Sequence, residues 1–395
     1  MMKNSSAANS GAVIFTILFS AALLYTNGIV SPALATIGQA FPDKSAETVQ
    51  LIYSIPKIML FICSLLSGAI ASRLSIKKCM ILGCIFQALG TLPAWFGGFG
   101  FLLFSRVLFG IGYGLIFPMV SAAITDLFSG NKRAALMGIK SAVGSVFSII
   151  MQMLGGYLVT RNWRMVFLEF LIAVPAFFFV LFFLPDTGPK GNRKQGYNLR
   201  HQAGSMWLVL IFAMLVMLLA NAFFVDVSFV VKERGVETPK QAGTILSVFS
   251  ACSCAAGFGY VLFQKFLRRY TAPVTAALMG ASLLIAFFSR NLPLMYAAAA
   301  LYGLGFGLFN PGMALLVADR SRAADEVPRM LSLHLALNGF GQFFTVYVLK
   351  GIRMLLGYSS VGYDWLGAGV LILVLCFLYL LLDRRLSPES RIITS

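Results

Sequence analysis

Long apolar stretches follow one another along nearly the whole chain and are separated by short polar segments. A bilayer core of about 30 Å is crossed by roughly 20 apolar residues in a helix. The stretches are too long and too evenly apolar for the strands of a membrane barrel, where apolar and polar residues alternate. The pattern therefore predicts twelve membrane-spanning helices, with the approximate limits 11–40, 49–72, 78–98, 101–125, 134–159, 163–184, 205–231, 241–264, 272–289, 293–318, 329–350 and 363–382.

The composition supports an all-α membrane protein. Of the 395 residues, 59% are hydrophobic and only 11% are charged, against about 25% charged in soluble domains. A soluble protein of this length could not bury so much apolar surface in its own core. The lipid bilayer is therefore the expected environment for much of the surface.

The positive charge indicates how the chain crosses the membrane. A net charge of +17 first suggests a nucleic-acid partner, but the basic residues form short clusters between the apolar stretches. With the N-terminus in the cytoplasm, 19 Lys and Arg residues lie inside and 9 outside. This excess predicts that both termini are cytoplasmic. The short loops and compact length favour a bacterial inner membrane, and we expect no nucleic-acid partner.

An internal repeat divides the chain into two halves. The fourth span carries Gly110, Gly114 and Pro118, and the tenth carries Gly303, Gly307 and Pro311 at an offset of 193 residues. The same offset relates Asp126 to Asp319, and an offset of 194 relates Asn27 to Asn221. Repeated halves are common in transporters. The repeat predicts two pseudo-symmetric six-helix bundles, residues 1–184 and 204–395, joined by a polar cytoplasmic linker over 185–203.

Two local motifs resemble those of the major facilitator superfamily. The loop Gly68-Ala-Ile-Ala-Ser72-Arg73-Leu-Ser75-Ile76-Lys77 is similar to the family's G-x-x-x-D-R-x-G-R-K, with departures at positions 72, 75 and 76. Arg106-Val-Leu-Phe-Gly110-Ile-Gly112 matches its R-x-x-x-G-x-G motif, which is linked in that family to proton-coupled transport. Gly155-Gly156 fits the end of a third motif, G-x-x-x-G-P-x-x-G-G, that marks many antiporters, whereas Phe147, Met151 and Gln152 depart from its earlier positions.

This resemblance implies the family's fold and a secondary transporter that works by alternating access. We expect a monomer that exports small amphipathic organic molecules with the proton as coupling ion. Proton-coupled uptake of a small organic anion is the alternative, and a membrane receptor or sensor that does not transport is a third hypothesis. We expect no enzymatic activity, because neither clustered His residues nor paired carboxylates are present.

Ionisable residues within predicted spans are functional candidates, because each costs roughly 2.5–3.5 kcal/mol to insert. Asp226 in the seventh span is the first candidate for a carboxylate that carries a proton or faces the substrate. Its alternative role is a structural ion pair near the outer end of the span, with Lys232 six residues on. Glu169 in the sixth span is a second proton candidate, or else it pairs with Arg164 or Arg106.

The basic candidates are Arg106 and Lys57. Arg106 would modulate a nearby carboxylate or bind an anion, or else extend towards the outer interface. Lys57 in the second span is a candidate partner for Asp226 across the outer ends of the two halves. Such a bridge would break and form again during alternating access.

The remaining candidates are uncharged, at helix ends, or small. Candidates to line a substrate path are Asn27, Asn221, Gln152 and Asn310. Candidates for a cytoplasmic gate are Arg73, Lys77, Asp126 and Asp319. Candidates for helix bending and close packing are Gly110, Gly114, Pro118, Gly303, Gly307 and Pro311. With two His residues, and six Cys residues that all fall in or beside apolar stretches, we expect no metal site and no cofactor.

Overall fold

The computed structural model describes residues 11–189, 204–235, 239–267, 270–321 and 326–386. These residues form helices and no strands, as the apolar pattern predicts. Most of the predicted linker 185–203 lies outside the described residues. Within them the chain forms two compact units, the first from residues 11–189 and 239–244 and the second from residues 204–235 and 245–386.

The first unit is built on seven α-helices. They are α1 (Gly11–Ala22), α2 (Leu34–Ala40), α3 (Ala46–Arg73), α4 (Ile76–Leu89), α5 (Phe99–Leu127), α6 (Gly130–Arg161) and α7 (Ala173–Phe183). Three 3₁₀ segments join them at Leu23–Ala33, Leu92–Ala94 and Trp163–Ile172. The first 3₁₀ segment connects α1 to α2, and the last one leads directly into α7.

The second unit contains the other seven helices. They are α8 (Gly204–Ala220), α9 (Ala222–Glu233), α10 (Pro239–Leu267), α11 (Thr271–Phe288), α12 (Leu292–Asp319), α13 (Val327–Leu356) and α14 (Tyr363–Leu386). The first six residues of α10 belong to the first unit.

Ten helical segments within the described residues are long and apolar enough to cross a membrane. The two predicted spans outside this set are the third and the eleventh. The third is shorter than predicted, because α4 has 14 residues and ends at Leu89 before a three-residue 3₁₀ turn. The eleventh is α13, a helix of 30 residues that carries the polar side chains His334, Asn338 and Gln342 in its middle.

Corresponding helices of the two units begin 193 residues apart. Gly11 and Gly204 begin α1 and α8, and Phe99 and Leu292 begin α5 and α12. Since an identical offset relates three pairs of helix starts, with α3 and α10 as the third, the repeat found in the sequence is also a structural repeat.

The repeated glycines allow helices to approach closely. A β-carbon on Gly110 would lie 2.8 Å from the Met59 side chain of α3, and one on Gly114 would lie 2.7 Å from Cys63. In the second unit, β-carbons on Gly303 and Gly307 would collide with backbone carbonyl oxygens of α10. Any side chain here would therefore force the helices apart. Pro118 and Pro311 lie inside α5 and α12.

Candidate functional site

The first span of the first unit is not a continuous α-helix. The α1 helix ends at Ala22, and the chain runs as a 3₁₀ segment until α2 begins at Leu34. Asn27 lies in this segment and is 3% exposed. Its Nδ2 donates a hydrogen bond to the carbonyl oxygen of Tyr53 in α3, at 3.3 Å. Its Oδ1 is buried and accepts no hydrogen bond in the described part of the chain.

The corresponding span of the second unit is also interrupted, at the residue related to Asn27 by the repeat. The α8 helix ends at Ala220 and α9 begins at Ala222, with Asn221 between them. The Nδ2 of Asn221 donates to the Gln342 carbonyl at 3.0 Å and to the Thr345 hydroxyl at 3.3 Å, both in α13. Each unit thus has a buried asparagine at its helix interruption.

Three side chains satisfy carbonyl groups around the Asn221 interruption. The Thr345 hydroxyl donates to the Leu218 carbonyl at 2.8 Å. The Tyr302 hydroxyl donates to Ala220 at 2.5 Å, and the Trp365 indole donates to Ala222 at 3.2 Å. In a lipid environment an interrupted helix is tolerated only where its freed backbone groups find partners inside the protein. These donors, which the sequence analysis did not single out, therefore stabilise the interruption.

Gln152 and Thr345 are related by the 193-residue offset, and each lies beside its unit's interruption. Gln152 is 2% exposed, and its Nε2 donates to Ser148 at 3.0 Å. A β-carbon on Gly28 would lie 3.2 Å from that Nε2, so α6 approaches the 3₁₀ segment closely there. Both units therefore place a polar side chain of the fifth or eleventh span against the interrupted span.

Asp226 lies in α9, five residues after the interruption, and is completely buried. Lys232, the pairing partner considered from the sequence, is exposed. One turn before Asp226, Phe223 stacks on Tyr302 at 4.4 Å and on Trp365 at 5.9 Å between ring centroids. Asp226 thus follows an aromatic cluster built from three different spans. The hypothesis that Asp226 pairs with Lys57 joins residues of two units and stays a prediction.

Glu169 lies in the 3₁₀ segment that precedes α7 and is 8% exposed. Neither carboxyl oxygen has a hydrogen-bond partner within the described residues, so it pairs with neither Arg164 nor Arg106. A β-carbon on Gly155 of α6 would lie 3.1 Å from Oε1 of Glu169 and 3.2 Å from the Ile29 carbonyl oxygen. Gly155 therefore makes room for a carboxyl group beside the interrupted first span.

Arg106 is completely buried. Its guanidinium carbon lies 4.6 Å from the ring centroids of Phe167 and Phe170, and 5.0 Å from that of Phe109. Nη2 donates to the Gly90 carbonyl and Nε donates to Ser105, both at 3.2 Å. Nη1 has no partner in the described part of the chain. The sequence analysis considered a carboxylate as the partner of Arg106. In the structure, the faces of three aromatic rings stabilise this cation instead.

Lys57 is half-buried in α3. Its ammonium lies 5.6 Å from the ring centroid of Tyr53 and 5.8 Å from that of Tyr113. Tyr53 also provides the carbonyl that accepts from Asn27. Lys57 and Asn27 are therefore neighbours of the same residue of the first unit.

Asn310, the candidate in α12 of the second unit, is half-buried and donates to the Phe306 carbonyl of its own helix at 3.1 Å.

The four gate candidates lie at helix ends. Arg73, Asp126 and Asp319 are exposed, whereas Lys77 is half-buried.

An acid that the sequence analysis missed, Asp186, also faces the motif loop. A hydrogen bond from Ser75 and one from the Gly188 backbone hold the pKa of Asp186 below its ordinary value, and Lys78 and Lys77 add to this effect. Asp186 thus brings a carboxylate to a loop whose own acidic position is occupied by Ser72. No local signal could identify it, because it lies over 100 residues away in the sequence.

Comparison with known sequences identifies related proteins. The model of the Major Facilitator Superfamily matches residues 14–271 and 238–394. The chain is similar to the multidrug transporter protein MdtP of Bacillus subtilis, with 34% identity over 104 residues, which cover 26% of this chain and 19% of that protein. It is 33% identical over 139 residues to the methyl viologen resistance protein SmvA of Salmonella typhimurium, covering 34% of this chain and 28% of SmvA. The matched segments thus span less than a third of the length of either relative.

Among solved structures, a D-xylose–proton symporter superposes with a TM-score of 0.75. The superposition covers 93% of this chain and 96% of the symporter, at 12% sequence identity. At this identity the likeness concerns the fold alone.

Proposed function

The chain belongs to the Major Facilitator Superfamily, and on this premise we propose that it exports small amphipathic organic molecules in exchange for protons. Membership in a family of membrane transporters indicates transport rather than enzymatic catalysis. The proposed cycle is alternating access by a monomer, in which an interrupted span contributes to substrate binding. Interrupted helices commonly form such sites in transporters.

The observation that carries the proton coupling is the environment of Glu169. Its carboxyl group is buried, has no hydrogen-bond partner among the described residues, and lies against Gly155 beside the interrupted first span. A buried carboxylate without a cation is costly, whereas the protonated acid is tolerated. Proton loss would therefore favour a conformation that hydrates Glu169, and proton binding would favour the buried one. One charge moved across 100 mV supplies about 2.3 kcal/mol, which is enough to drive exchange.

Asp226, a buried acid five residues after the helix interruption of the second unit, is our second candidate for the coupling residue. Its position one turn after Phe223 places a carboxylate beside an aromatic cluster. Aromatic faces and a carboxylate together favour flat organic cations. The names of the relatives MdtP and SmvA, a multidrug transporter and a methyl viologen resistance protein, agree with export of such compounds.

Lys57 supports the alternative function, which is uptake of a small organic anion. In the first unit its ammonium has two tyrosine rings as neighbours. Tyr53 contacts both Lys57 and Asn27 of the interrupted span, so Lys57 lies close to the interruption. An anionic substrate bound there could pair with the Lys57 ammonium. In that case replacing Lys57 with Met would abolish uptake of organic acids, and the wild-type protein itself would not export cations.

The test uses the full chain in liposomes that contain a pH-sensitive dye. An imposed proton gradient is challenged with lipophilic cations and, in parallel, with small organic acids. We expect proton flux that depends on a lipophilic cation and falls at least about tenfold in Glu169→Gln. A tenfold lower rate corresponds to an activation free energy that is higher by about 1.4 kcal/mol. Asp43→Asn is the matched control, because Asp43 is an exposed acid that pairs with Lys44 on a loop.

The outcomes separate the candidates. Flux that survives Glu169→Gln but disappears in Asp226→Asn would assign coupling to the second unit. Flux with organic acids alone would favour anion uptake. Substrate movement without any proton flux in the wild-type protein would contradict proton coupling.

A further inference from the structure

A cavity of about 520 Å³ lies in the second unit, at the end that the topology prediction places in the cytoplasm. It is bounded by the last residues of α10, the start of α11 and the last residues of α12. Its polar lining comes from Tyr260, Gln264, Lys265, Thr271 and Asp319. The proposed transport cycle assigns no substrate to this cavity.

The cavity contains one charge of each sign. Lys265 and Asp319 both line it and are exposed, and they form no ion pair with each other. Tyr260, a third lining residue, interacts electrostatically with Asp319. A ligand with separate cationic and anionic groups would match this arrangement, because each group would meet an opposite charge.

The cavity borders an exposed apolar stripe on α10. Phe258, Leu262 and Phe266 follow one another at intervals of four residues and therefore share one helix face. They are 71%, 60% and 80% exposed. Val261 lines the cavity and is 65% exposed, so the cavity opens beside this stripe. A ligand with apolar chains would cover the stripe while its polar group occupies the cavity.

A glycine leaves the space for this cavity. A β-carbon on Gly312 would lie 3.4 Å from Thr271 and 3.7 Å from the Tyr260 ring, so any longer side chain would project into the lined volume. At the related positions of the first unit, Gly312 corresponds to Met119 and Lys265 corresponds to Ser72. Met119 is buried in an apolar cluster, and the Ser72 hydroxyl donates to its own helix. At these two related positions the first unit therefore has neither the space nor the cation, although it keeps the acid as Asp126.

We propose that this cavity binds the headgroup of an aminophospholipid such as phosphatidylethanolamine. The lipid ammonium pairs with Asp319, the phosphate pairs with Lys265, and an acyl chain lies along Phe258, Leu262 and Phe266. Basic pockets between helices at the cytoplasmic side of a membrane are suited to lipid phosphates. The additional carboxylate selects an ammonium that can still donate hydrogen bonds.

The test measures which lipids stay bound to the purified full chain, by native mass spectrometry after detergent washing. The probes are phosphatidylethanolamine, phosphatidylcholine, whose ammonium has no N–H donor, and phosphatidylglycerol, which has no ammonium. We expect phosphatidylethanolamine to be retained about tenfold more strongly than the other two. Asp319→Asn should abolish the preference for phosphatidylethanolamine, and Lys265→Gln should weaken all three lipids.

Matched variants separate this site from general lipid binding. Gly312→Met introduces the residue of the first unit and should remove the preference by filling the cavity. Asp126→Asn removes the related acid of the first unit and should leave the preference unchanged. Equal retention of the three lipids by the wild-type protein would overturn the proposal, as would equal losses in Asp126→Asn and Asp319→Asn. Displacement of the lipid by soluble phosphoethanolamine at equal concentration would also overturn it and assign the cavity to a soluble ligand.

Discussion

Three ionisable side chains within the predicted spans of the first unit have different surroundings. Arg106 lies among three phenylalanine rings, and Lys57 lies near two tyrosine rings. Glu169 has no polar partner within the described residues. A cation on an aromatic face is favourable when desolvated, whereas an unpartnered carboxylate is not. The two basic residues can therefore keep their charge through a transport cycle, and the acid is the group suited to exchange a proton.

Replacing Arg106 with Lys tests the role of the three rings. The flat guanidinium contacts all three rings and also donates to Gly90 and Ser105, a geometry that a single ammonium cannot reproduce. We expect a loss of about 2 kcal/mol in the free energy of unfolding, seen as a melting temperature lower by about 4–8 °C in detergent.

Arg161→Lys is the control for Arg106→Lys, because Arg161 also contacts an aromatic ring, that of Tyr157, but is exposed. Equal melting temperatures for Arg106→Lys and the wild-type protein would show that the rings contribute nothing specific to the guanidinium.

At the scale of elements, the interrupted spans were beyond the reach of sequence analysis. The sequence correctly predicts one apolar segment over 11–40 and one over 205–231, but 3₁₀ and α segments of equal hydropathy produce the same pattern. The interruption at Asn221 depends on donors from α12, α13 and α14, which lie more than 80 residues away in the chain. The room that Gly155 makes for Glu169 could not be inferred either, because it depends on how α6 packs against the 3₁₀ segments Leu23–Ala33 and Trp163–Ile172.

The interruption in the seventh span should depend on the Tyr302 hydroxyl. Tyr302→Phe keeps the ring that stacks on Phe223 but leaves the buried Ala220 carbonyl without this donor. An unsatisfied buried acceptor costs about 1–3 kcal/mol, and we expect the melting temperature to fall accordingly. The control is Tyr347→Phe, since Tyr347 is 49% exposed. If both variants melt with the wild-type protein, the hydroxyl does not stabilise the interruption.

At the scale of the whole chain, the repeat was predictable in detail. The 193-residue offset read from glycines and prolines also relates the starts of three pairs of helices. This works because close helix contacts require glycine at fixed positions, and both copies have kept those contacts. The units differ where packing does not require identity, as at Gly312 and Met119. Close helix contacts that both copies make are therefore visible in the sequence, whereas the cavity beside Gly312, which belongs to one copy, becomes visible only in the structure.

The distribution of Lys and Arg over all the loops predicts the orientation of the chain in the membrane. The excess of Lys and Arg on one side sets the loop after α5 in the cytoplasm and the loop before α12 outside. Cysteines introduced at the exposed residues Lys44 and Arg290 should react with an impermeant maleimide in intact bacterial cells. A cysteine at the exposed Lys132 should react only after the cells are permeabilised. The six native cysteines are buried or half-buried, so the unmodified chain is the control for background labelling. Labelling of position 132 but not 44 in intact cells would mean the opposite orientation and would contradict the predicted cytoplasmic location of both termini.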